Sequence, residues 1–330
     1  MEFVESCDLC GSKNQKSFEM YECYNQTFHF VECECGLAFL NPRPSIEEIG
    51  MYYDGVYTTI HNIYKQPPMQ RFLTRFLRYV LQVRYHSNKM AKYAVRLLFF
   101  PWELKWCKIL ANTHMEGISS IGRVLDVGCG RGYFLATIQR WGFQCFGCEP
   151  DPQAAKVAQD AGLEVVCSDL LNAPYSKNQF DVIRFSHVLE HVHFPSAVLQ
   201  RANELVKPGG LIIVEVPNHV GIVAQSFRQT EDVPRHLYGF TPETLQRYFA
   251  QAGLRVTKTV TLTRKPHDIY GQFGRFALEF AKNATEEQKK KIADFWSPTN
   301  KRRVKEFEAS AKFFDSIGRG SAVAVVGTKD

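Results

Sequence analysis

The sequence predicts an α/β chain built on a largely parallel sheet. Beyond Gly122, short apolar runs alternate with helical patterns, which implies right-handed crossovers between neighbouring parallel strands. The turn from the first run into the first helix is glycine-rich, Gly128-Cys129-Gly130-Arg131-Gly132. A third observation sets the first forty residues apart, for they hold two close cysteine pairs, Cys7/Cys10 and Cys33/Cys35.

Taken in order, residues 1–40 are cysteine-rich, and Asn41-Pro42-Arg43-Pro44-Ser45 breaks regular structure and reads as a boundary. Tyr52, Tyr53 and Tyr57 form a short aromatic segment. From about 68 to 115 the pattern is helical, with Leu73, Phe76, Leu77, Val80 and Leu81 on one face and Arg71, Arg75 and Arg78 beside them. Strands are expected at 124–127, 145–148, 164–167, 180–186, 211–216 and 254–263, and helices at 134–141, 153–161, 197–206 and 242–252. Gly162 suits the position after a helix end, and Thr241-Pro242 suits a helix start. The charged tail 285–314 is expected to be helical, and 322–327 to be a last strand. No internal repeat is visible.

The 330 residues are 45% hydrophobic and 22% charged, which excludes collagen-like, disordered and low-complexity classes. A formal net charge of +6 is mild, yet 60–112 carries ten Lys/Arg against one acid, Glu103. That stretch interleaves basic residues with Phe72, Phe76, Tyr79, Tyr85 and Tyr93. Three readings stand for it: a membrane-surface helix reaching a lipid-linked acceptor, contact with nucleic acid, or helices whose basic residues are simply solvated. The start has no secretory signal pattern and no run is apolar enough to span a bilayer. The expectation is therefore a cytoplasmic protein with reduced thiols, its only membrane contact being peripheral at the inner face through 60–112.

The glycine loop is the first chemical signal. Glycines there let the backbone turn sharply and approach a ligand closely. Glu149 ends the second strand 23 residues after Asp126, where a carboxylate can accept both hydroxyls of a ribose, and Asp169 ends the third beside the same crevice. The G-x-G-x-G spacing departs from the dinucleotide pattern. The preceding Asp126 would repel a phosphate but suit an ammonium group, hence a ligand with adenosine at one end and an amino acid at the other.

The loop resembles motif I of the class I S-adenosylmethionine-dependent methyltransferases. Phe180-Asp181-Val182-Ile183, the segment His187-Val188-Leu189-Glu190-His191-Val192, and Leu205-Val206-Lys207-Pro208-Gly209-Gly210 resemble the family's later motifs in order. The resemblance implies a Rossmann-like, seven-stranded, mostly parallel sheet with helices on both faces over 118–330, and S-adenosylmethionine as cofactor. It implies that Asp126, Gly128, Gly130 and Glu149 meet the cofactor's methionine and ribose ends, and Asp169 and Leu170 its adenine. His187 is expected to line the same pocket.

Methyl transfer from a sulfonium requires alignment, exclusion of water and, for a hydroxyl or carbon acid, removal of a proton. The segment Pro234-Arg235-His236-Leu237-Tyr238-Gly239 resembles the one that carries a histidine base in sugar and natural-product methyltransferases, which implies His236 as base. His191 is the competing site, and with Glu190 it also reads as a polar tie between loops. His187-x-x-Glu190-His191 spells an inverted zinc-protease pattern as well, which would need an α-helix and a further ligand.

The cysteine pairs, each followed by glycine, resemble the zinc-ribbon-like start of bacterial glycan-associated methyltransferases, Asn-Pro-Arg-Pro included. This implies a structural Zn2+ on Cys7, Cys10, Cys33 and Cys35, although the second pair is one residue shorter than usual and Cys23 or His29 could stand in. The alternative is free buried thiols. Cys107, Cys129, Cys145, Cys148 and Cys167 read as core filler. The chain thus divides into a zinc-ribbon-like module at 1–45, a basic helical insertion at 46–117 that covers the acceptor side, and the methyltransferase domain. Its expected activity is transfer to a small-molecule, glycan or lipid-linked acceptor, chiefly at oxygen. The alternative is an RNA methyltransferase, with nucleic acid the less favoured partner because no Pro-Pro-Tyr/Phe signature follows the fourth strand.

Overall fold

A computed structural model of the chain describes residues 1–53, 113–116, 118, 122–221, 224, 232–263, 285–295, 297 and 301–330. The basic pattern of 60–112 and Cys107 lie outside them.

Alternation of apolar and polar residues builds the first sheet. β1 (Gln15–Cys23) and β2 (Gln26–Cys33) pair antiparallel across Tyr24-Asn25, both at positive φ, as a tight hairpin turn requires. Phe28 and Phe30 of β2 point inward and are fully buried. β3 (Ala38–Leu40) extends the sheet, and the fourth strand, β9 (Tyr238–Gly239), comes from two hundred residues further along the chain.

The second sheet follows the alternation beyond Gly122. Its elements run β4 (Arg123–Val127), α1 (Tyr133–Gln139), β5 (Gln144–Cys148), α2 (Pro152–Asp160), β6 (Glu164–Val166), β7 (Phe180–Ser186), α3 (Pro195–Leu205) and β8 (Val206–Pro217). After β9 come α4 (Pro242–Gln251), β10 (Leu254–Leu262), α5 (Glu286–Phe295), α6 (Lys301–Ser316) and β11 (Ala322–Lys329). The order is β10-β11-β8-β7-β4-β5-β6, parallel from β8 to β6, with β11 antiparallel to both of its neighbours. This is the seven-stranded, mostly parallel arrangement that the sequence implies. Because β4 leads outward to β5 on one side and neighbours β7 on the other, a crevice opens at their carboxyl ends, where open α/β sheets hold ligands.

The strands are apolar on both faces, as buried parallel strands must be. Leu125, Ile183, Phe185, Ile212 and Val214 are essentially inaccessible, and such burial stabilises the fold by about 1.5–3 kcal/mol per side chain. α2 starts on Asp151, whose carboxylate accepts from Ala154 N, and α4 starts on a Thr241/Thr244 capping box with Pro242 in its first turn. Cys129, Cys145 and Cys148 fill core, but Cys167 is exposed, since β6 ends one residue earlier. Among the described residues the tail is helical, as expected, in two helices, α5 and α6.

The boundary segment proves to be a fastener. Arg43, only 4% exposed, donates to Tyr238 Oη (2.9 Å), the His193 carbonyl (3.1 Å) and Glu2 (2.7 Å). Asp8, inside the first cysteine pair, accepts from Ser196 N, Ser196 Oγ and Tyr248 Oη at 2.9–3.0 Å, so the pair sits on the start of α3. Arg247 and Gln251 of α4 donate to the Cys35 and Leu9 carbonyls.

Candidate functional site

The glycine loop leaves β4 with Gly128, Gly130 and Gly132 all at positive φ, which L side chains adopt only under strain. A Cβ on Gly128 would meet Val188 at 2.6 Å and one on Gly132 would meet Leu163 at 2.3 Å, whereas one on Gly130 would face open space. Two of the glycines therefore serve packing, and Gly130 borders the crevice. Glu149, 3% exposed, accepts from Gly130 N (2.7 Å) and Asp151 N (3.0 Å). Burial pushes its carboxyl above the usual range, and the two amides pull it back. Asp126 is buried and its Oδ1 accepts from Arg184 Nη1 at 2.8 Å. Here too burial raises the carboxyl, and the guanidinium opposes it. Arg184 also lies over the Phe134 ring at 4.1 Å. Asp126, which the sequence reading set aside for an ammonium group, is paired here with a residue that reading missed; an arginine within the apolar run of β7 is the signal that could have found it. Leu170 is buried, and the exposed Asp169 accepts from the backbone and side chain of Asn172.

On the other wall, His187 directly follows β7, held at φ 55, its N–H donating to the Glu215 carbonyl at 2.8 Å. His187 Nδ1 lies 3.3 Å from Glu190 Oε1, and Nε2 lies 3.8 Å from Glu215. Leu189–His191 is a single 3₁₀ turn, so the H-x-x-E-H spacing does not lie on an α-helix. It turns Glu190 inward, where both partners of the notional base pair meet it: the His191 and His236 rings stand 4.7 Å apart, edge to face, and the ligand-type atoms of all three residues lie within 4.8 Å of one another. His191 Nδ1 faces the Arg235 carbonyl at 2.9 Å and the Tyr53 hydroxyl at 3.0 Å. Burial holds His191 below its ordinary value, with Glu190 opposing. For His187, burial lowers and Glu190 more than offsets it, leaving the imidazole above its ordinary value. Tyr53 and Glu190 were not foreseen as parts of one cluster.

The His236 loop is tied from both sides. Leu237 N donates to the Glu190 carbonyl at 2.7 Å, and Leu40 N to the Leu237 carbonyl at 2.9 Å. β9 then pairs with β3, so the N-terminal sheet sets the loop's register. Asp232 N approaches His236 Nδ1 at 3.4 Å, and Asp232 pairs with Arg235.

The four cysteines converge although the second pair is short. Cys7 and Cys35 sulfurs are 3.6 Å apart, Cys10 and Cys33 3.5 Å, and all four lie within 4.8 Å. Tetrahedral zinc at about 2.3 Å from each sulfur separates sulfurs by roughly 3.8 Å, so the set fits that ion. Gly11 and Gly36, at positive φ, close the two turns by donating to the Cys7 and Cys33 carbonyls. Burial pushes the Cys7 thiol far above its ordinary value, a cost that metal-bound thiolates avoid. Cys23 donates to the Val233 carbonyl instead, and His29 stands outside the cluster.

Comparison with known proteins identifies the family of the chain. The profile of a family described as a methyltransferase domain matches residues 70–259, more than half of the chain. A ubiquinone biosynthesis O-methyltransferase of Nitrobacter winogradskyi is 30% identical over 160 residues, 44% of this chain and 60% of the relative. The mitochondrial ubiquinone biosynthesis O-methyltransferase of Homo sapiens is 28% identical over 222 residues, 61% of this chain and 56% of the relative. The chain therefore spans less than two thirds of either relative's length. Among solved structures, an S-adenosylmethionine-dependent methyltransferase of Thermotoga maritima, described as a possible histamine N-methyltransferase, aligns over 77% of this chain and all of its own, with TM-score 0.46 and 17% identity.

Proposed function

The chain belongs to the class I S-adenosylmethionine-dependent methyltransferases, and from that premise we propose that it methylates a hydroxyl oxygen on a small-molecule, glycan or lipid-linked acceptor, with His236 as general base. The observation that carries the reading is the edge-to-face pair of imidazoles, His191 and His236, clustered with the buried Glu190. A hydroxyl must lose its proton as the methyl arrives, and a neutral imidazole suits that task near pH 7. The named activity of two relatives, O-methyltransferase, supports oxygen as the acceptor atom.

S-adenosylmethionine supplies an activated methyl group. Glu149 and the open side of Gly130 would hold its ribose and methionine ends, Asp126, Gly128 and His187 would border them, and Asp169 and Leu170 would meet the adenine. Zn2+ on the four cysteines would be structural, keeping the N-terminal sheet in place against the His236 loop. Labelled-methyl transfer into fractionated cell extract tests the acceptor class: label in lipid, glycan or small-molecule pools supports the proposal, and label in an RNase-sensitive pool replaces it with an RNA acceptor.

A further inference from the structure

Glu190 is 1% exposed, and neither of its carboxylate oxygens accepts a hydrogen bond of normal geometry. Imidazoles surround it instead: His187 at 3.3 Å, and His191 and His236 within the 4.8 Å cluster. An isolated buried carboxylate is strongly disfavoured, and a protonated ring beside it supplies the counter-charge. The surroundings differ for each. His191 turns Nδ1 to the Arg235 carbonyl and the Tyr53 hydroxyl, so the proton on that nitrogen is held by the carbonyl and points away from Glu190's charge. His236 shares its loop with Arg235, whose guanidinium adds positive charge nearby, partly balanced by Asp232. His187 stands half-exposed at the crevice, between Glu190 and a second buried acid, Glu215, which also lies 3.8 Å from His114. His187 is thus the ring whose proton Glu190 holds best while the acceptor is absent.

We propose that Glu190 is the shared counter-charge of His187 and His236, so that the proton gained at His236 during methyl transfer is matched by one lost from His187 to solvent. The inference rests on His236 being the base. The acceptor O–H bond breaks and its proton becomes an N–H of His236. The oxygen's electron pair forms the new O–C bond, and the pair of the broken S–C bond stays on sulfur. Two imidazolium rings beside Glu190 would repel each other, Glu215 being divided between His187 and His114, and the half-exposed His187 is the ring with a path to water. Glu190 and His187 are positioning residues in this scheme; neither need touch the acceptor.

Histidine-selective NMR titration of the full chain with S-adenosylhomocysteine bound tests the exchange. In His187→Gln, the His236 midpoint should rise by about one pH unit, and in His236→Gln the His187 midpoint should rise by a similar amount. In Glu190→Gln both should fall. The acid limb of the kcat–pH profile of His187→Gln should move upward by the same amount as the His236 midpoint. Should Glu190→Gln fail to fold, the two histidine variants decide alone, since both rings are partly exposed. Midpoints that do not respond to the partner ring overturn the proposal, as does stoichiometric Mn2+ bound by the wild-type chain and lost in Glu190→Gln, which would make the cluster a cation site. His236→Gln with normal turnover sinks the base reading even with the coupling intact; the reverse result, no turnover and no coupling, sinks the exchange alone.

Discussion

The two walls of the crevice reach their precision by different routes. On the glycine-loop wall, β4, the loop, Glu149 and the start of α2 all come from one stretch of about thirty residues, and backbone amides make most of the contacts. The histidine wall draws on Tyr53, the turn at 187–191, the loop at 232–237 and β3 of the N-terminal sheet, and side chains make most of the contacts. A wall made of backbone tolerates exchange of neighbouring side chains. A wall made of distant side chains depends on every element that holds its pieces together. For this chain one of those elements is the cysteine-rich module, fastened through Asp8, Arg43 and β9.

The largest effect should come from loosening the histidine wall at its anchor. Cys7→Ser plus Cys10→Ser should remove the one zinc expected per chain and cost several kcal/mol of stability in the N-terminal sheet, the scale on which structural zinc is coupled to folding. Elemental analysis and thermal unfolding read this directly. Turnover should collapse while affinity for S-adenosylhomocysteine stays within about twofold. A metal content that survives both substitutions would place the ligands elsewhere.

Next in size is the base itself. His236→Ala should lower turnover by about 10²-fold, which corresponds to about 2.7 kcal/mol, with cofactor-product binding nearly unchanged. His191→Ala, measured alongside, sharpens the contrast within the histidine wall: if it abolishes turnover and His236→Ala does not, the two roles are exchanged.

On the opposite wall, Glu149→Ala should weaken S-adenosylhomocysteine by about 1–3 kcal/mol in calorimetry, the cost of losing a charged acceptor. Turnover at saturating cofactor should fall far less. An unchanged affinity would mean that the carboxylate serves only Gly130 and Asp151.

The smallest effect is a pH-dependent one. Held above its ordinary value by Glu190, His187 contributes stability that is fully present below roughly pH 6.5 and lost as pH rises through its folded value. Glu190, held below its ordinary range chiefly by His187 against the opposing cost of burial, is ionised throughout that window. His187→Gln should therefore destabilise the fold at pH 5.5 and leave it unchanged at pH 9. Because His187 is about half exposed, solvent screening keeps the difference below about 1 kcal/mol. Equal destabilisation at both pH values would mean that the ring acts by packing.

Sequence by itself determined whatever neighbouring residues encode together. The glycine loop, the Thr241 cap, the alternation of strands and helices and the two cysteine pairs each fit within a short window, where turn geometry, capping and periodicity act locally. From these the α/β class, the methyltransferase family and the cofactor could be read. Tertiary structure alone decided which distant groups meet. Arg184 reaches Asp126 only because β7 pairs with β4, and Tyr53 reaches His191 only because the N-terminal module docks on the α/β half. Asn-Pro-Arg-Pro read as a break, yet Arg43 within it is among the most buried charges of the described residues, satisfied by partners 41 to 195 residues away. The short Cys33-x-Cys35 pair cast doubt on the metal geometry until the β2–β3 turn folded it over the first pair. In each case the deciding energy is a polar group, charge or thiol finding its partner across the fold, and no local pattern records where that partner will come from.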